Sequence, residues 1–162
     1  MTIVENRVHI TGGVATHLTF HVAAAVDANG GVLGVESFEI GARHYARLLD
    51  WLTGFGPVER IGVEGTGSYG AGLSRHLRAA GVEVIEVDRP NRQARARAGK
   101  SDPIDAIAAA RAALSGSATV IPKGRDGNVE AIRVLLVARR SAKASRVQVA
   151  NQLRHLVLCA PE

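Results

Sequence analysis

The sequence predicts an α/β fold built on a mixed sheet, and three features of its 162 residues carry the prediction. Asn29-Gly30 sits between two apolar runs, the strongest short-range signal for a hairpin of antiparallel strands. After Ile40 the apolar spacing changes from strand-like to helical. From Arg60 onward, short apolar strands alternate with helical segments, the order that packs helices on a sheet.

Taken in order, Arg7 to Ala15 and His21 to Asp27 read as strands, the second turning through Ala28-Asn29-Gly30-Gly31 into Val32 to Ile40. Ala42 to Phe55 reads as a helix, with Tyr45, Leu48, Leu49 and Leu52 on one face and Trp51 and Phe55 close to it. Arg60 to Glu64 is a short strand. Gly65-Thr66-Gly67-Ser68-Tyr69-Gly70 then opens a helix that runs through Ala80 and closes at Gly81. Val82 to Val87 is the last strand, followed by a basic connection from Arg89 to Lys100 and a helix from Pro103 to Leu114. Three antiparallel strands followed by alternating helices and strands is the ribonuclease-H-like order. Residues 1–122 form that domain in this reading, and 123–162 form a linker plus a basic helix, Val129 to Leu158. Ile132, Leu135, Leu136, Val149, Leu153 and Leu156 give this helix an apolar stripe, suited to packing on its own domain or to a coiled-coil partner.

Composition narrows the classes of function. Hydrophobic residues make up 46% of the chain, enough for a real core. A net charge of +5 and a pI near 10.1 favour a polyanionic partner, nucleic acid first. A single cysteine, Cys159, excludes an internal disulfide framework and fits a reducing cytoplasm. No apolar run approaches the roughly 20 residues of a membrane span, and Met1 to Arg7 does not resemble an export signal.

Gly99-Lys100-Ser101-Asp102-Pro103-Ile104-Asp105-Ala106 concentrates the charge. Pro103 presets a helical φ, which makes Asp102 the expected N-cap, and Asp105 follows three residues later on the same face, near the positive helix terminus. Capping alone accounts for such a pair, but Arg89, Arg92, Arg95, Arg97 and Lys100 lead into it. A basic run feeding an acidic pair suits a site where phosphate approaches a bound divalent metal; a solvated loop is the simpler account of the run. Glu64, at the carboxyl end of a strand, is a third carboxylate at the sheet edge where ligands bind in open α/β sheets. Three carboxylates converging there need a hard cation such as Mg²⁺ to relieve their repulsion.

The glycine-rich loop has a rival reading. Gly65, Gly67 and Gly70 match a dinucleotide-binding fingerprint, with Glu86 and Asp88 at the end of the next strand. Against it stand the opening antiparallel hairpin, the negative charge of Glu64 where a pyrophosphate would approach, and the short remainder of chain for a substrate domain.

Three linked motifs, Gly62-Val63-Glu64-Gly65-Thr66-Gly67-Ser68-Tyr69-Gly70, Glu86-Val87-Asp88-Arg89-Pro90 and Gly99 to Ala106, together resemble the N-terminal domain of the DEDD transposases of bacterial insertion sequences. The resemblance implies a fold similar to Holliday-junction resolvases, DNA and a structured bridge RNA as partners, homo-oligomers in the full-length family, and an Asp-Glu-Asp-Asp set that binds Mg²⁺. By position, Glu64, Asp102 and Asp105 carry over as metal ligands and catalytic residues. The first aspartate does not: the family pattern Gly-Val-Asp-Thr-His reads Gly13-Val14-Ala15-Thr16-His17 here, so Ala15 holds its place. Asp27, at the far end of a strand, is roughly 20 Å away at about 3.3 Å per residue and cannot replace it. His17 and His21 are closer, but imidazole is a poor magnesium ligand. Family members also continue into a C-terminal domain with a serine nucleophile, to which nothing here corresponds.

Two functions follow as expectations. The first is a transposase domain acting in DNA transposition through Mg²⁺-dependent phosphodiester chemistry, impaired by Ala15. The second is a non-catalytic nucleic-acid-binding module in which Arg89, Arg92, Arg95, Arg97 and Lys100 grip phosphates.

Overall fold

The computed structural model describes residues 9–88, 101–124 and 126–161. It divides into two compact units, Met1–Lys123 and Gly124–Glu162. Among the described residues, the first unit holds five strands, β1 (Ile10–Thr16), β2 (Phe20–Val26), β3 (Val32–Glu39), β4 (Val58–Glu64) and β5 (Glu83–Val87), with helices α1 (Ala42–Thr53), α2 (Ala71–Ala79) and α3 (Asp102–Ser115). The second is a single long helix, α4 (Gly127–Leu158).

The sheet runs in the order β3-β2-β1-β4-β5. β1, β2 and β3 pair antiparallel, whereas β4 and β5 join parallel to β1 and to each other. This is the ribonuclease-H-like α/β arrangement expected from the sequence, and it lacks the all-parallel order of the rival dinucleotide-binding reading. The Asn29-Gly30 hairpin forms around Asp27, whose Oδ1 accepts hydrogen bonds from the N–H groups of Asn29 and Gly31 at 2.8 Å each. Asp27 is thus fixed in a turn at the opposite end of β2 from the β1–β2 turn.

Strand alternation divides the core between the two sheet faces. On one face, Ile10, Val14, Ala23, Phe38, Ile61, Val63 and Val84 pack against Tyr45, Leu48 and Leu52 of α1 and Leu73 and Leu77 of α2. Trp51 packs tilted on Phe38 and meets Phe55 edge-on, as expected of residues beside the apolar stripe. On the other face lies α3. Its buried positions, Ala106, Ala109, Ala110 and Ala113, are all alanine, and they sit directly over Gly13 and Gly62. Small residues on both sides let helix backbone and sheet backbone touch, which fixes α3 on β1 and β4 more closely than larger side chains allow.

His21 is the exception in the apolar face. It is fully buried, stacks on the Tyr45 ring at 5.8 Å, and neither ring nitrogen has a hydrogen-bond partner of good geometry. Burial pushes its pKa below the usual imidazole value; the Phe20 backbone offsets this in part, and His17 adds to the lowering. A folded-state pKa below the unfolded one means that the stability is present above about pH 6.5 and is lost as pH falls through that value toward the folded pKa. The parent chain should therefore show a larger fall in Tm between pH 7.5 and pH 5 than His21→Phe. Parallel Tm–pH curves would show that His21 is not the acid-sensitive group.

In the second unit, α4 has no buried residue, and the positions of its apolar stripe are exposed. An exposed bidentate pair from Arg133 to Glu130 supports its first turns.

Candidate functional site

The carboxyl ends of β1 and β4 lie side by side. Val14 pairs with Val63, and continuing that register sets Ala15 beside Glu64, about 4.8 Å away across neighbouring strands. Alternation turns both toward the α3 face, as Gly13 and Gly62, two residues earlier, already show by their contact with that helix. Ala15 is 2% exposed and packs with Val22, Ala24 and Ala106, so it abuts the first turns of α3. Glu64 is buried as well.

α3 begins at this same edge. Ser101, in extended conformation, is its N-cap residue, and Asp102 is already helical, with Pro103 next; this corrects the expectation that Asp102 caps the helix. The Asp105 N–H donates to the Ser101 carbonyl at 3.1 Å, closing the first turn through the backbone without a side-chain cap. Both aspartates remain in the first turn, where the helix dipole favours negative charge. Freed from capping, the Asp102 carboxylate faces His17, whose Nε2 lies 3.1 Å from Asp102 Oδ1, close but not aligned as a hydrogen bond. His17 in turn stacks on Phe20, with ring centroids 4.9 Å apart.

Thr16 ties the edge together, a role that its place in the Gly13 to His17 motif does not reveal. Its hydroxyl donates to the Glu64 carbonyl oxygen at 2.7 Å in a buried hydrogen bond that joins β1 to the last residue of β4. The loop after Glu64 is wound against the same side chain. Gly65 has φ +70°, a conformation that favours glycine, and a Cβ at Gly70 would meet Thr16 Cγ2 at 3.0 Å and the Glu64 oxygen at 3.2 Å. Gly65 accepts backbone hydrogen bonds from Ser68 and Gly70, so the loop is a closed turn rather than an open phosphate cradle.

The sequence nominates Glu64, Asp102 and Asp105, and all three belong to one sheet edge, with Ala15 beside Glu64 in register and packed on Ala106 of α3. Among the described residues there is no group of three or more His, Cys, Asp or Glu arranged to hold a metal ion. Ala15 presents a methyl group where the four-acid pattern has a carboxylate, and Asp102 is turned to His17. Glu64, Asp102 and Asp105 offer the hard oxygen donors that suit Mg²⁺, three where the four-acid pattern has four. Arg89, Arg92, Arg95, Arg97 and Lys100 lie outside the described residues.

Comparison with known protein families gives a match to the DEDD domain of IS110-type transposases, described as a transposase, over residues 13–159. No curated protein matches the chain. The matched span runs from Gly13, ahead of Ala15, through the acidic edge and the whole of α4 to residue 159.

Proposed function

The chain belongs to the IS110-type DEDD transposase family, and from that premise we propose that it is a nucleic-acid-binding transposition domain whose Mg²⁺-dependent phosphodiester chemistry is impaired by Ala15. Family membership gives the broad role, DNA transposition. The finer reading is supported by one observation above the others: position 15 is buried beside Glu64 and against Ala106 of α3, and it carries a methyl group. In the complete set, an aspartate in the place of Ala15 would hold the metal together with Glu64, Asp102 and Asp105, and the ion would polarise the phosphodiester and activate the attacking water or hydroxyl. Here Glu64, Asp102 and Asp105 are the remaining site residues, and the chain binds its partner more readily than it cuts it.

Binding falls to Arg89, Arg92, Arg95, Arg97 and Lys100, which lead straight into the acidic turn. A structured RNA is the second polyanion that such a run would grip, as in the family it belongs to. The exposed apolar positions of α4 suit self-association of the transposase through that helix. On this reading residues 1–122 carry the site, and 123–162 link it to a partner copy.

The test is the salt dependence of binding to a branched DNA, followed by fluorescence anisotropy. If about five cations contact phosphate, log affinity should fall against log salt with a slope of about −4 to −5, and Arg92→Ala with Arg95→Ala should bring the slope up by about 2. A parent chain that does not bind at low salt overturns the reading. No helix among the described residues is long and apolar enough to cross a membrane.

A further inference from the structure

The chain has six aromatic side chains of the Phe, Tyr and Trp type, and five have a ring partner. Phe20 stacks on His17 and Tyr45 on His21, while Trp51 packs tilted on Phe38 and meets Phe55 edge-on. Tyr69 is the sixth. It is 47% exposed, and among the described residues its ring has no aromatic neighbour and its hydroxyl no hydrogen-bond partner.

Its position is fixed all the same. Tyr69 lies between Ser68 and Gly70, whose N–H groups both donate to the Gly65 carbonyl, at 2.9 and 3.1 Å. Gly70 sits close against Thr16, Val63 and the Glu64 carbonyl, all 3.0–3.2 Å from where a Cβ would stand. A tyrosine held by a closed turn one residue from this close approach gives up little conformational freedom when it binds something. Exposure without a partner, a rigid base and adjacency to the acidic edge together describe a stacking platform. Every nucleobase presents a π-face to such a ring, whereas a continuous duplex hides those faces in its own stack.

We propose that Tyr69 stacks on an unpaired nucleobase beside Glu64, so that the strand taken at this edge carries an unpaired or extruded nucleotide. The inference rests on the reading of the edge as a nucleic-acid site and adds to it the class of substrate. Phosphate contacts from the basic run would hold the backbone without regard to base pairing; Tyr69 would supply the preference for an unstacked base.

The experiment uses the full chain and two fluorescent DNAs of equal length, a continuous duplex and a fork with unpaired nucleotides, at one low salt concentration. Tyr69→Ala should weaken fork binding roughly five- to hundredfold, the range for loss of one stacked base, and leave duplex binding unchanged. Tyr69→Phe should bind the fork like the parent, and Tyr69→Leu should bind it like Tyr69→Ala. An abasic scan of the fork supplies a readout that a merely structural role would not move. One abasic position should weaken the parent by the same factor and Tyr69→Ala no further. Equal fork affinity for parent and Tyr69→Ala, or abasic losses that add to the variant's, overturn the stacking role while phosphate binding stands. A parent that binds neither DNA overturns the nucleic-acid reading and this inference with it.

Discussion

Gly13→Ala should lower the stability of the sheet unit by about 3 kcal/mol or more, while Gly12→Ala, one residue earlier, should cost about 1 kcal/mol. The two residues are neighbours on β1 and face opposite sides of the sheet. A Cβ on Gly13 would stand 2.2 Å from the Ala106 carbonyl oxygen and 2.2 Å from the Ala110 nitrogen, both backbone atoms of α3. Backbone in mid-helix has no rotamer with which to give way, so the whole helix must retreat from the sheet. A Cβ on Gly12 would meet only side-chain atoms, Leu52 Cδ1 at 3.0 Å and Ile61 Cγ1 at 3.1 Å, which shift by small rotations. Urea unfolding of the two variants separates the cases, and equal midpoints would show that the α3 contact does not govern stability. The effect should extend to the site, because Asp102 and Asp105 ride on the first turn of the helix that is displaced.

That contact also marks the limit of what the sequence shows. The hairpin is legible at Asn29-Gly30, where a turn demands particular residues, and the start of α3 is legible within one residue at Pro103, because proline constrains its own φ. Those signals are local. Gly13 and Gly62 carry no local mark of a helix above them, since the alanines they touch lie far away in the chain and only the parallel pairing of β1 with β4 aligns the two glycines under α3. Thr16 is silent for the same reason: nothing in Ala15-Thr16-His17 announces a bond to the carbonyl of Glu64, 48 residues on. The cap falls one position from where the sequence puts it because Asp and Ser are both good N-caps. Backbone conformation decides between them, with Ser101 at φ −136° and ψ 120° outside the helix. The acids of the edge are legible as residue types by motif; their relation to Ala15 and His17 needs the sheet.

Ala15→Asp should make the stability of the chain depend on Mg²⁺ far more than that of the parent. Without metal, the new carboxylate enters a site that is 2% exposed, lined by Val22, Ala24 and Ala106 and next to Glu64. Burying an unpaired charge beside a like charge costs about 3 kcal/mol or more, and for a domain of this size about 3 kcal/mol lowers Tm on the order of 10 °C. Adding Mg²⁺ reverses the sign of the argument: a fourth hard oxygen donor completes the Asp-Glu-Asp-Asp set, and repulsion among carboxylates becomes attraction to the ion. At about a hundredfold excess over Kd, binding returns about 2.7 kcal/mol, most of what the substitution removed. Tm in EDTA and in Mg²⁺ therefore gives a paired readout for each chain: the parent should move little, and Ala15→Asp should fall in EDTA and recover in Mg²⁺. Ala15→Asn has nearly the same size and polarity without the charge, so it should fall and not recover, and adding Asp102→Ala to Ala15→Asp should abolish the recovery. If Ala15→Asp responds to Mg²⁺ no more than Ala15→Asn does, Glu64, Asp102 and Asp105 do not converge on position 15, and the edge is not a depleted metal site. Recovery specific to the aspartate would mean that the fold still holds the other three acids in place around a single missing carboxylate, because a site that had drifted in geometry could not be restored by one side chain.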